Sequence, residues 1–302
     1  LVEFGAKVVA LVLDADPYCE LYRSGYIERV HVVNGRLEDF ATVERAIVAH
    51  ECDTVFHLGA QAIVSVAQRS PLATLETNVR GTWNVLEACR LHGDLVKRVV
   101  VASSDKAYGE NPALPYTEET PLHGRQPYEV SKSCADLIAQ AYYHSYGLPV
   151  AVARCGNIFG GGDLNWTRIV PGTIRALHRG EAPLIRSDGR YIRDYLYVKD
   201  VSSAYLSLAE HLSSPQVSGQ SFNFSPESQV TVLEIVDKIR QLMKCEHIQP
   251  TVLNRAQGEI RNQYLSSEKA QQILRWRASY SLDRGLVETI DWYKKFLAEG
   301  LS

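Results

Sequence analysis

The stretch Val99-Val100-Val101-Ala102-Ser103-Ser104-Asp105-Lys106-Ala107-Tyr108-Gly109 decides the fold. It opens as an unbroken β-branched run, as a strand covered on both faces requires, and then breaks into small and charged residues. Similar runs recur on either side at Lys7–Leu13, Arg29–Val33, Thr54–Leu58, Lys97–Ser103 and Val150–Arg154. Helical spacing fills the gaps. Phe40, Val43 and Ile47 predict an amphipathic helix over 39–50. Pro71–Gly93 opens with proline, closes with glycine and carries Leu75, Val79 and Leu86. Pro127–Tyr146 is a third helix. Strand–helix–strand alternation implies a doubly wound α/β fold with a parallel sheet and right-handed crossovers.

The alternation fades after Arg154. Gly156–Asp163 reads as a glycine-rich loop. Helices are expected at 171–180, 200–212, 230–243, 267–275 and 282–298, and strands near 191–198 and 221–224. The second half therefore reads as a smaller C-terminal substrate lobe. The expected division is 1–156 with a return segment at 200–224, against 157–199 and 225–302.

The chain has 302 residues with 32 Lys+Arg and 35 Asp+Glu, a net charge of −3. That balance lacks the basic excess of a nucleic-acid binder. No apolar run reaches the length of about 18 residues that a membrane span needs. The six cysteines (Cys19, Cys52, Cys89, Cys134, Cys155, Cys245) are scattered without a CxxC pair. A metal site and a disulfide scaffold are not expected, and the reading is a cytoplasmic protein with small core thiols.

Ligands of open α/β sheets sit beyond the carboxyl ends of the strands. Ser104, Asp105 and Lys106 lie there. Tyr128 and Lys132 are four apart near a helix start, hence on one face. An ammonium beside a phenol lowers its pKa, so such a tyrosine could take a proton from a sugar hydroxyl. A second YxxxK, Tyr195 to Lys199, falls in an apparent strand, where residues four apart stand about 13 Å apart. His57, at a strand end among apolar neighbours, reads as structural.

A strand ending Ser103-Ser104-x-x-x-Tyr108-Gly109, followed by Tyr128-x-x-x-Lys132, resembles the extended short-chain dehydrogenase/reductase family, whose fold is Rossmann-like. Further blocks arrive in that family's order: His57-Leu58-Gly59-Ala60-Gln61, Asn78-Val79-Arg80-Gly81-Thr82, Arg154-Cys155-Gly156-Asn157, Arg193-Asp194-Tyr195-Leu196-Tyr197-Val198-Lys199-Asp200 and Gly258-Glu259-Ile260-Arg261. The Ser104-Asp105-Lys106 set, with Gly160-Gly161-Gly162-Asp163 and Arg168-Ile169-Val170-Pro171, is most similar to nucleotide-sugar 4,6-dehydratases of the CDP-glucose type. A 4-epimerase of the same family, or a non-catalytic nucleotide-sugar or dinucleotide-binding scaffold, is the alternative.

The resemblance implies NAD as cofactor. Asp14, Leu37, Leu58, Gly59, Ala60, Asn78, Ser103, Tyr128, Lys132 and Gly156 would line it. Arg36 stands after Gly35 where the family often has an acid, and Asp14 comes one or two residues late for the ribose-binding register. No GxGxxG-like turn occurs before Gly59. The expectation is a chain lacking a first strand–turn–helix of about 20–30 residues and inactive in isolation. A nucleotide-sugar substrate would be held by Asn157, Arg168, Arg193 and Arg261, because arginines suit phosphate oxygens. Tyr128, lowered by Lys132, would deprotonate the 4-hydroxyl, with Ser104 hydrogen-bonding its oxygen. Lys106, neutral through burial or a cation such as Lys132, would take the C5 proton or stabilise the enolate. Asp105, kept protonated, would protonate the departing 6-hydroxyl. A homodimer through helices 72–93 and 127–146 is also implied.

Overall fold

The computed structural model describes residues 1–255 and 259–300. Gly258, the first residue of one family-like block, lies outside them. The elements run β1 (Val9–Val12), α1 (Glu20–Arg23), β2 (His31–Asn34), α2 (Phe40–Val48), β3 (Thr54–His57), α3 (Val64–Arg69), α4 (Pro71–Leu75) and α5 (Gly81–Leu91). Next come β4 (Arg98–Ala102), α6 (Pro127–Tyr146), β5 (Val150–Cys155), β6 (Asn157–Phe159), α7 (Ile169–His178), β7 (Leu184–Ile185), β8 (Ile192–Tyr197), α8 (Val198–His211) and β9 (Ser221–Phe224). The chain ends with β10 (Gln229–Thr231), α9 (Val232–Leu242), β11 (Thr251–Val252), β12 (Asn262–Gln263), α10 (Glu268–Ile273) and α11 (Leu282–Ala298).

The central sheet is parallel, in the order β3-β4-β5-β9, and β1 with β2 forms a separate parallel pair. Side chains alternate across a strand, and here both faces are covered. Val99 and Val101 of β4 enter a core with Val43, Ile47, Val85, Leu86, Val150 and Val152. Val100 enters the opposite core, with Ala151, Ala153, Ala204, Leu208, Phe222 and Phe224. Each of the buried Val, Ile, Leu and Phe side chains contributes about 1.5–3 kcal/mol relative to exposure. A third core joins α7, α9 and α11 to Phe159, Tyr195 and Tyr197.

The strand runs, the helix over Pro127–Tyr146 and the return of β9 to the main sheet agree with the sequence reading. The short strands β7, β10, β11 and β12 and the short helices α1 and α3 are not expected from it, and two further features differ from the reading. Asn157–Phe159, expected as loop, is a strand because the first half of the glycine-rich stretch pairs in parallel with β8. The helix expected over 71–93 contains a π-turn at Glu76–Arg80, so its register shifts around Asn78.

Candidate active site

Two elements build the site. β4 ends at Ala102, and Ser103 and Ser104 lead into a single 3₁₀ turn, Asp105–Tyr108. The Ser104 hydroxyl caps that turn by accepting from the Lys106 amide. Helix α6 begins opposite. Pro127 takes its first turn, where a missing N–H costs nothing, and the Glu129 carboxylate accepts from the Gln126 amide at 3.1 Å. Gly147 closes the helix at φ 69°. The helix is pinned to the turn by Ser133, whose hydroxyl donates to the Ala107 carbonyl at 2.9 Å.

These elements bring Ser104, Asp105, Lys106, Tyr128 and Lys132 together. Asp105 is 3% exposed. One of its carboxylate oxygens accepts from Ser104 at 3.0 Å and the other from the Lys106 amine at 3.4 Å. Burial lowers the Lys106 pKa, Asp105 opposes this, and Arg193 lowers it further. The helping cation is therefore Arg193 rather than Lys132.

The phenol differs from the sequence expectation. Burial, then the Asp105 charge, push Tyr128 up to about 12. A hydrogen bond with Ser104 and the charge of Arg168 act in the opposite direction. Lys132 does not lower it, because its amine turns to the strand end and donates to the Ala102 carbonyl at 2.8 Å. Burial brings Lys132 down to about 8. The spacing put the two residues on one face but carried no information about where the amine would find an acceptor.

Other singled-out residues surround this centre. The amide of Asn78, 2% exposed, donates to Ser131 at 2.9 Å and to the Gln61 carbonyl at 3.0 Å. Leu37 packs where a side chain on Gly59 or Gly81 would stand, at 2.8 and 2.7 Å. Leu58 is exposed at the end of β3. Ala60 follows it half-buried, and Asp14 is exposed two residues past β1. A side chain on Gly156 would meet Asp194 at 3.0 Å. Ser103 Oγ and Asn157 Nδ2 are buried and have no hydrogen-bond partner among the described residues. His57 is buried against Thr82 at 2.9 Å and is held neutral, its pKa brought down to about 3 by burial and then by Lys132.

The arginines divide. Arg168 pairs with Asp163 at 3.0 Å and keeps 44% of its side chain exposed. Arg261 is exposed, 3.5 Å from Asp188. Arg193 is not offered to solvent. Its guanidinium donates to the carbonyls of Ile192, Ile260 and Arg261.

Sequence reasoning missed two groups. Gln263 of β12 is fully buried and reaches both Asp105 and Lys106. A buried bidentate pair, Arg154 with Asp136 at 2.7 and 2.9 Å, supports the turn through Tyr108, whose hydroxyl donates to Asn223 at 2.7 Å. Arg154 stood in a quoted block, but its partner lies 18 positions away on another element.

The chain is 30% identical to a CDP-glucose 4,6-dehydratase of Salmonella typhimurium, over 98% of this chain and 86% of that protein. Among solved structures it is similar to a UDP-glucose 4-epimerase of Thermotoga maritima bound to UDP-glucose, with a TM-score of 0.88, 28% identity, and coverage of 98% and 94% of the two chains. It is also similar to a dTDP-glucose 4,6-dehydratase of Streptomyces venezuelae solved with NAD, with a TM-score of 0.86, 25% identity, and coverage of 98% and 90%. The GDP-mannose 4,6 dehydratase family profile matches residues 3–289. With that match running through both the turn after β4 and the start of α6, the chain belongs to the GDP-mannose 4,6 dehydratase family.

Proposed function

We propose that the chain converts an NDP-hexose to the NDP-4-keto-6-deoxyhexose with loss of one water, and that the hexose nucleotide is CDP-glucose. The observation that carries the reading is the contact of Asp105 with Lys106 at 3.4 Å, beside Tyr128 and Ser104. An acid and an amine side by side suit an elimination, in which one proton leaves C5 and another joins the departing oxygen. A 4-epimerase needs neither, which sets the epimerase reading second. The match to a CDP-glucose enzyme supports the nucleotide.

NAD is the cofactor of this proposal. Among the described residues the unpartnered Ser103 Oγ fits a polar ligand, and Leu37 beside Gly59 offers an apolar face to an adenine-like ring. When bound, oxidised NAD supplies the hydride acceptor and a positive charge. Leu58, Gly59, Ala60, Asn78, Gly156 and Asp14 complete the proposed lining, with Tyr128 and Lys132 at its reacting end.

Within the chain, Tyr128 would take the proton of the 4-hydroxyl with the positive charge of bound NAD added to the Ser104 hydrogen bond and the Arg168 charge that oppose its burial, and Ser104 holds that oxygen. Lys106 takes the C5 proton through its amine, which burial and Arg193 bias toward the neutral form. Asp105, expected to be protonated but accepting through both of its oxygens in the resting site, receives the proton from the Lys106 ammonium across their contact and passes it to the departing 6-hydroxyl. Asn157, Arg168 and Arg261 hold the sugar and diphosphate, whereas Arg193 shapes the site through the 260–261 backbone.

The nucleotide-binding part comprises 1–156 and 200–224, and the substrate part 157–199 and 225–302. The exposed apolar side chains Leu72, Trp83 and Leu137 on α4, α5 and α6 support a homodimer through these helices. Among the described residues, no helix is long and apolar enough to cross a membrane. Six free thiols support a reducing compartment, hence a cytoplasmic protein.

The test incubates the full natural chain with NAD and CDP-, dTDP-, UDP- and GDP-hexoses, with mass spectrometry of the products. Loss of one water from the CDP-hexose is expected. Isomerisation without water loss replaces the reading by epimerase. A second arm is Asp105→Asn with Lys106→Ala, which should lower water loss by about 10²–10⁴-fold; an undiminished rate refutes the assigned roles.

A further inference from the structure

Gln263 lies on β12, 157 positions from Lys106 in sequence, and is fully buried. Its amide N–H donates to the Asp105 carbonyl at 2.8 Å. That carbonyl can only accept, so the orientation of the amide is fixed and its oxygen faces Lys106. The Lys106 amine donates to that oxygen. It also donates to the Asp105 carboxylate at 3.4 Å. A neutral amine has two N–H groups and one lone pair. Both N–H groups are thereby engaged, and one tetrahedral position is left. The Lys106 side chain is largely buried, at 19% exposure.

We propose that Gln263 is a positioning residue that aims the Lys106 lone pair into the cleft. The proposal rests on the reading of Lys106 as the acceptor of the C5 proton. In that step the C5–H bond breaks, its electron pair passes into the enolate of the 4-ketone, and the proton joins the amine to give an ammonium. A neutral amide suits this task. It holds the amine through one hydrogen bond without adding a second negative charge that would keep it protonated. The charged groups facing Lys106 are Asp105 on its own turn, Arg193 on β8 and Glu129 on α6. Arg193 also holds the backbone of 260–261, just before Gln263. The side chain that aims the amine thus comes from the segment that carries Arg261.

The test uses the full natural chain with NAD and whichever of the four NDP-hexoses loses water, in D2O. Gln263→Leu should slow C5 exchange and water loss by about a hundredfold, the cost of misplacing a reacting group by about 1 Å. Oxidation at C4 should persist, so the near-ultraviolet absorbance of reduced nicotinamide accumulates. Gln263→Glu preserves the shape and adds a charge. It should move the ascending limb of the pH profile upward by about 1–3 pH units, with the rate recovering at high pH. A purely structural role would not move that limb. If Lys106→Met abolishes C5 exchange while both Gln263 variants match the natural chain, the positioning role is overturned and the dehydratase reading stands. If Lys106→Met loses water normally, or no NDP-hexose loses water, the reading itself fails and takes this role with it.

Discussion

The Lys132 amine and the Ala102 carbonyl, 2.8 Å apart, join the face of α6 to the last residue of β4. The bond crosses 30 positions of sequence and sets where the helix stands relative to the turn that follows the strand. Burial of the amine brings its pKa down to about 8. Replacing it by Met leaves a carbonyl without its donor, which costs about 1–3 kcal/mol. Urea unfolding of Lys132→Met should show that loss, with turnover reduced about 10²–10⁴-fold. Unchanged unfolding and turnover would remove Lys132 from both roles.

The folded chain holds His57 neutral, with a pKa near 3 against an ordinary value of 6.5. Between these values the unfolded chain binds a proton that the folded chain does not. Stability is therefore fully present above about pH 6.5 and falls as the pH drops toward 3. From pH 7 to pH 5 the contribution lost is about 2 kcal/mol. Denaturant curves of His57→Asn at both values should show a shallower decline than those of the natural chain. Equal slopes would place the acid sensitivity elsewhere.

The Arg154–Asp136 pair is buried on both sides, at 4% and 0% side-chain exposure. Asp136→Ala leaves a guanidinium without its counter-charge and should destabilise by about 3–5 kcal/mol. The double change Asp136→Leu with Arg154→Met removes both charges and should recover part of the loss. Calorimetric melting distinguishes the two. A single variant as stable as the natural chain contradicts the desolvation argument.

Gly109 ends the turn at φ 63° and ψ −157°, a region that side chains avoid. A Cβ there would also stand 2.2 Å from the His123 carbonyl oxygen. Gly109→Ala should therefore cost more than the strain alone, which is about 1–3 kcal/mol. Melting of this variant beside Gly93→Ala checks it, because Gly93 has only one ordinary contact, at 3.5 Å. Equal effects at the two positions would refute the steric account.

What the sequence made legible was set by local rules. The apolar runs of β4 and β5 are continuous because both faces are covered, and Pro127 and Gly147 mark the ends of α6. The turn of Ser104, Asp105 and Lys106 was legible because a buried strand must stop where polar residues begin. The missed features depend on partners far along the chain. The strand at Asn157–Phe159 exists through its pairing with β8, and Gln263 acquires its contacts only through β12. The sign of the Tyr128 shift was misread because spacing places residues on a face but cannot weigh burial against a neighbouring charge.

The distance in sequence between Lys106 and Gln263 has a consequence for biosynthesis. A ribosome that has released the turn after β4 must add 157 more residues before the amide that completes it exists. At about 5–20 residues per second, the nascent chain spends roughly eight to thirty seconds with that amine lacking the amide. Assembly of the centre is thus a late event in the life of each new molecule, and truncated translation products should carry the turn without its finishing contact.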